Sequence, residues 1–132
     1  MMAKLECSPQ PARMEAVSRD ALVQAALQEI NQNYREASLS NVARAYGVSL
    51  AYVSECVRAQ TGRTYKELLQ KHRMETAARL LRRSDLNIQQ IIAQVGYENT
   101  SYFYRLFHER YGLSPREYRM VRTGTAPRRP SA

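Results

Sequence analysis

Thr100, Ser101, Tyr104, Arg105 and His108 fall at the spacing that gathers side chains on one side of a helix, with Phe103, Leu106 and Phe107 on the other. Such a polar face suits recognition rather than bond making. A guanidinium at Arg105 can donate in parallel to guanine O6 and N7, the commonest specific contact to a base. The hydroxyls of Thr100 and Ser101 can bond bases or phosphates, and His108 suits a surface or phosphate contact better than catalysis. A second set lies earlier in the chain: Leu50, Ala51, Ser54, Glu55 and Arg58 are left outside where Val53 and Val57 face a core. Both helices would begin at a short polar residue, Ser49 and Asn99, and so present backbone N–H groups suited to phosphate. Tyr52 and its counterpart Tyr102 fit two readings equally, a packed ring or one that touches DNA.

Other chemistries find little support. Cys7 and Cys56 are two isolated cysteines, and His72 and His108 are far apart, so the pattern suggests neither a disulfide framework nor a zinc site. Cys56 reads as a small side chain at the edge of a core. No nucleophile–base pair, carboxylate pair or phosphate loop is visible, so an enzyme is not expected and no cofactor is implied. No apolar run approaches the roughly 20 residues of a transmembrane helix, and residues 1–17 lack a signal-peptide apolar core, so a soluble cytoplasmic protein is expected, without a membrane partner.

The net charge of +8 is unevenly placed. Residues 1–61 hold six basic and six acidic side chains, whereas residues 62–132 hold fourteen basic against six acidic, the whole of the excess. A basic surface favours polyanions, nucleic acid before anionic membrane.

The elements that must position these faces occur twice. At an offset of 49, Ser38, Leu39, Val42 and Gly47 fall on Asn87, Ile88, Ile91 and Gly96. At an offset of 50, Ser49, Tyr52, Val53, Val57 and Gly62 fall on Asn99, Tyr102, Phe103, Phe107 and Gly112, and the pair Thr64/Glu67 falls on Ser114/Glu117. Each copy reads as cap, short helix, glycine turn, second cap, second helix and glycine stop, the layout of a helix-turn-helix.

The whole chain therefore reads as all-α. Residues 1–17, with Pro9 and Pro11, read as a flexible leader, and residues 123–132 as a disordered tail. A first helix is expected from about Arg19 to Tyr34, capped by Ser18, with Leu22, Val23, Ala26, Leu27, Ile30 and Tyr34 on one face. The first helix-turn-helix spans about 38–61, with Val42, Ala43 and Tyr46 facing inward. A linker helix of about 65–83 follows a Thr64/Glu67 capping box and would span roughly 28 Å. The second helix-turn-helix spans about 87–111, and Ser114-Pro115-Arg116-Glu117 opens a last short helix. Lys71, Arg73, Arg79, Arg82 and Arg83 on the linker helix fit surface charge and phosphate contact equally well.

The run from Gly96 to Phe107 (GYENTSYFYRLF), followed by Gly112-Leu113-Ser114-Pro115-Arg116-Glu117-Tyr118-Arg119, resembles the signature of the AraC/XylS family of bacterial transcription regulators. The resemblance covers about residues 18–122. It implies a seven-helix domain with two helix-turn-helix units joined by a long linker helix. It further implies binding of double-stranded DNA in two successive major grooves, with activation of transcription through RNA polymerase. Carried over by position, the base-reading places are Ala51, Ser54 and Glu55 in the first unit and Thr100, Ser101 and Arg105 in the second. Glu55 stands where family members often carry a basic residue. It could accept from cytosine N4, or pair with Arg58 one turn on and read nothing; the pairing is the preferred reading. Many family members carry a sensor domain that binds an effector or mediates dimerisation, for which this chain has no room. It is thus either a compact stand-alone regulator or the DNA-binding portion of a longer one. With both reading heads in one chain, a monomer suffices to span two grooves. The rival readings are a protein-interaction module and a non-specific chromosome-coating protein.

Overall fold

A computed structural model of the chain describes residues 17–123. The leader and tail expected from the sequence lie outside the described residues, except for Val17 and Thr123 at their inner ends. Among the described residues there are seven helices and no strand: α1 (Arg19–Asn33), α2 (Leu39–Tyr46), α3 (Leu50–Thr61), α4 (Tyr65–Arg83), α5 (Ile88–Gln94), α6 (Thr100–Tyr111) and α7 (Pro115–Thr123). The chain divides between Leu69 and Gln70 into two compact units.

Short polar residues start these helices. The first orphaned backbone N–H groups of a helix need acceptors, and each cap that supplies one stabilises by about 1 kcal/mol. Ser18 accepts from Ala21 N, Ser38 from Ser40 N, Ser49 from Tyr52 N and Asn99 from Tyr102 N. Reciprocal capping boxes open the other three helices: Thr64 with Glu67, Asn87 with Gln90, and Ser114 with Glu117.

In the first unit α1, α2, α3 and the start of α4 enclose an aliphatic core. Leu22, Val23, Ala26 and Ile30 of α1 meet Leu39, Val42 and Ala43 of α2 and Val53, Cys56 and Val57 of α3. Tyr65 closes this core, with Leu68 and Leu69 against it. Cys56 is a free thiol, fully buried rather than at the core edge. Tyr46, expected to face inward, is instead 38% exposed. It is the last residue of a two-turn helix, and Gly47, at φ 67°, turns the chain away immediately after it.

The second unit is aromatic. Phe103 and Phe107 of α6 are fully buried together with Met74 and Leu81 of α4 and Ile91 of α5. Phe107 meets Tyr111 at 4.6 Å and Tyr118 at 5.4 Å between ring centroids. Leu106, expected in the core, is only half-buried. Arg119 of α7 donates to the carbonyls of Leu81 (3.0 Å) and Ser84 (3.1 Å), satisfying acceptors at the end of α4.

Candidate nucleic-acid interface

In each unit the second helix of the helix-turn-helix carries an exposed outer face. In α3 the buried residues are Val53, Cys56 and Val57. At about 100° per residue, Ala51, Glu55 and Arg58 therefore lie on the opposite side, flanked by Ser54. All four are exposed, as are Leu50 (49%) and Tyr52 (40%) at the start of the helix. The preceding turn fixes this orientation. Gly47 takes a left-handed conformation that a β-carbon would strain, and Val48 N–H then closes onto the Ala43 carbonyl at 3.0 Å. Ser49 Oγ accepts from Tyr52 N–H at 3.0 Å. Glu29 of α1 holds α2 from behind, accepting from Asn41 Nδ2 at 3.0 Å.

In α6 the buried residues are Phe103 and Phe107, so Ser101, Arg105 and His108 occupy the outer side. All three are exposed, as is Tyr104 at 38%; Thr100 is half-buried. Asn99 Oδ1 accepts from Tyr102 N–H at 2.9 Å. The twelve-residue helices α3 and α6 thus share a capped start, length and glycine stop, and Ala51, Ser54, Glu55 and Arg58 have exposed counterparts in Ser101, Tyr104, Arg105 and His108. Glu55 corresponds to Arg105, Ala51 to Ser101 and Arg58 to His108.

A profile of the helix-turn-helix domain family matches residues 42–120. Along 92 residues the chain is 37% identical to the "Transcriptional activator NphR" of Rhodococcus sp, an alignment that covers 68% of this chain and 27% of that protein. The chain belongs to the AraC/XylS-type helix-turn-helix family. Among solved structures, the C-terminal domain of AraT, a response regulator from Geobacillus stearothermophilus, superposes with a TM-score of 0.70 at 35% identity, over 76% of this chain and 84% of that one. The DNA-binding domain of AdpA, solved in complex with a target DNA, shares the fold with a TM-score of 0.70 at 20% identity, over 81% of this chain and 96% of that one. The chain spans only 27% to 42% of the length of NphR and of two further curated relatives it matches.

Within this AraC/XylS-type domain, several side chains behave differently from the sequence expectation. Glu55 and Arg58 do not pair: among the described residues no ion pair or hydrogen bond joins them. An exposed pair gains little in water and loses side-chain freedom, so spacing alone does not form one. Tyr102 is half-buried within the second unit. Its hydroxyl accepts from Gln70 Nε2 at 2.8 Å, and its face lies 5.2 Å from the Arg105 guanidinium carbon. Tyr52, the more exposed counterpart, instead faces the guanidinium of Arg19 at 5.7 Å. Neither Gln70 nor Arg19 stood out in the sequence. They lie 32 and 33 positions from the tyrosines they meet, beyond the reach of helical spacing or capping signals.

The basic residues of α4 also separate. Arg73 stands 5.1 Å over the Tyr97 ring, Arg82 donates to Tyr118 Oη at 2.7 Å, and Lys71 pairs with Glu75 at 3.9 Å. Arg79 and Arg83 are exposed and make no such contact among the described residues. Burial pushes the Tyr97 phenol above its ordinary range, with the Arg73 guanidinium working against it. His72 is held below its ordinary range, by burial foremost, with Glu75 opposing and Arg79 adding to the effect. Among the described residues, no helix is long and apolar enough to cross a membrane, and no three His, Cys, Asp or Glu side chains group as metal ligands.

Proposed function

We propose that this chain is the sequence-specific DNA-binding domain, about residues 18–122, of a bacterial transcription activator, and that it lays α3 and α6 in successive major grooves of one asymmetric promoter site. The observation that carries the reading is the matched pair of outward faces on two equally capped helices, in a chain with a net charge of +8. Membership of the AraC/XylS-type family, the similarity to the transcriptional activator NphR, and the shared fold with a domain solved on its target DNA support it.

In this arrangement Ala51, Ser54 and Glu55 face base edges in one groove, and Thr100, Ser101 and Arg105 in the other. Tyr52, Arg58, Tyr104 and His108 flank them. The backbone N–H groups that follow Ser49 and Asn99 approach phosphates. The chemistry is recognition without catalysis, and it takes place in the cytoplasm. Both reading helices belong to one chain, so the second contact is intramolecular and a monomer suffices. RNA polymerase is the protein partner through which activation runs. A sensor domain elsewhere in a longer protein would supply any effector response or dimerisation.

The test is selection of bound duplexes from a random-sequence library at near-physiological salt. Two distinct sub-motifs about 10 base pairs apart, in a fixed order, are expected. Affinity should fall steeply with salt, with a log–log slope of about −0.9 for each phosphate contacted. Binding without enrichment would make the chain a non-specific coating protein. No binding would leave a protein-interaction module.

A further inference from the structure

We propose that the first unit selects a cytosine and that Glu55 is the residue that reads it. This rests on the DNA-binding reading above and assigns a base preference within it.

The placement of Glu55 comes first. It stands on the second turn of α3, on the side opposite the buried Val53, Cys56 and Val57, and it is exposed. Among the described residues it has no hydrogen bond, ion pair or ring contact, although Arg58 is one turn away. In the repeat it occupies the register of Arg105, the guanidinium on the exposed side of α6. A free carboxylate thus projects where the second unit projects a guanidinium.

The chemistry of the groove narrows what a carboxylate can meet there. Ionised, it is an acceptor only. Guanine presents two acceptors in the major groove and thymine presents an acceptor and a methyl group; both repel it or offer it nothing. Adenine offers the N6 amino group, but directly beside the N7 acceptor. Cytosine offers its N4 amino group and no acceptor of its own in the major groove. Cytosine is therefore the base that best satisfies Glu55: guanine and thymine leave a desolvated carboxylate facing acceptors or a methyl group, and adenine sets an acceptor directly beside its one donor. Discrimination of this kind works by rejection as much as by attraction. Residues 1–61 carry no net charge, so the first half supplies no surplus positive charge to mask a mismatch. Ala51 lies one turn before Glu55 on the same face, where its methyl suits a neighbouring thymine methyl. Since Arg105 suits guanine, both units would select a C·G pair while reading opposite members of it.

The experiment compares the full chain with Glu55→Gln and Glu55→Ala in the same random-duplex selection, with circular dichroism as the check on folding. The wild-type chain should enrich cytosine at one position of one sub-motif. Replacing that cytosine should weaken wild-type binding roughly 5- to 150-fold, the range of one good base contact, and weaken Glu55→Ala far less. Glu55→Gln should shift the position toward adenine, which a carboxamide can bond through both N6 and N7. Glu55→Ala should also bind random duplexes more tightly than wild type. An unchanged consensus in Glu55→Ala, or no base preference in the first sub-motif while the second is enriched, would overturn the assignment and leave the DNA-binding reading standing. Absence of enrichment in both sub-motifs would remove that wider reading itself.

Discussion

The two units are built on one plan and finished differently. Ser49 and Asn99 cap helices of equal length, and Gly62 and Gly112 end them in the same left-handed conformation. Behind α3 lies an aliphatic core that includes the small side chains Val53, Cys56 and Val57; behind α6 lie Phe103 and Phe107, backed by Tyr111 and Tyr118. In front, Glu55 stands where Arg105 stands. All of the net positive charge lies beyond residue 61. A repeated scaffold needs only caps, turns and a stripe of buried residues, and these tolerate many side chains. The outward face is not constrained by folding, so it is where the copies can diverge. If the proposals above hold, the charge of the second half favours DNA of any sequence, while the carboxylate of the first unit rejects most sequences.

The largest expected effect separates the cores. Phe107→Ala should destabilise the protein by about 3–5 kcal/mol, because the ring is fully buried and its neighbours are themselves rings that cannot collapse into the space. Its counterpart Val57→Ala should lose no more than about 1.5–3 kcal/mol, the worth of burying one valine. Urea denaturation of both variants measures the difference. Equal losses would mean that the aromatic core holds the second unit no more firmly than the aliphatic one holds the first.

Next come the reading faces. Arg105→Ala should weaken specific binding by about 1–3 kcal/mol and relax preference at a single base pair. A uniform loss over all sequences would show that Arg105 holds a phosphate, and the contrast with Glu55 would then be one of charge alone. The caps should give smaller and nearly equal effects. Ser49→Ala and Asn99→Ala each remove one side-chain acceptor at a helix start, for about 1 kcal/mol of stability. Thermal denaturation distinguishes them. A markedly larger loss for one would reveal that the shared plan is not shared energetically.

Much of this plan was legible in the sequence because it is written locally. A serine or asparagine before an apolar stripe, an acceptor three residues on, and a glycine at the end act within one or two turns, so the seven helices could be read from such signals. What was not legible depends on contacts across the fold or on competition with water. Tyr46 has the spacing of an inward residue, but the end of its short helix leaves it exposed at 38%. The Glu55–Arg58 spacing permits a pair that solvent does not favour. Gln70 on Tyr102, Arg73 on Tyr97 and Arg19 on Tyr52 join residues 24 to 33 positions apart, for which neither periodicity nor capping gives a sign. The outward position of Ala51, Ser54, Glu55, Ser101, Arg105 and His108 was legible because helical periodicity alone sets it.

The smallest effect concerns the two tyrosines, where the units diverge in a less obvious way. Tyr102 carries a guanidinium from its own helix, Arg105, while Tyr52 carries one from α1, Arg19. A cation over an aromatic face at such partly exposed sites contributes about 0.5–1 kcal/mol. In the second unit that energy restrains the arginine proposed to read a base, and the Gln70 hydrogen bond restrains the ring in turn. Tyr102→Leu should therefore weaken specific binding by about 0.5–1 kcal/mol and blur the guanine preference assigned to Arg105. Tyr52→Leu should leave every base preference intact, because Arg19 is not on the reading helix; at most it lowers affinity for all duplexes alike. Competition binding against single-base variants of the selected site measures both. A change of base preference in Tyr52→Leu would place Arg19 among the reading residues, and the two units would then be more alike than their charges suggest.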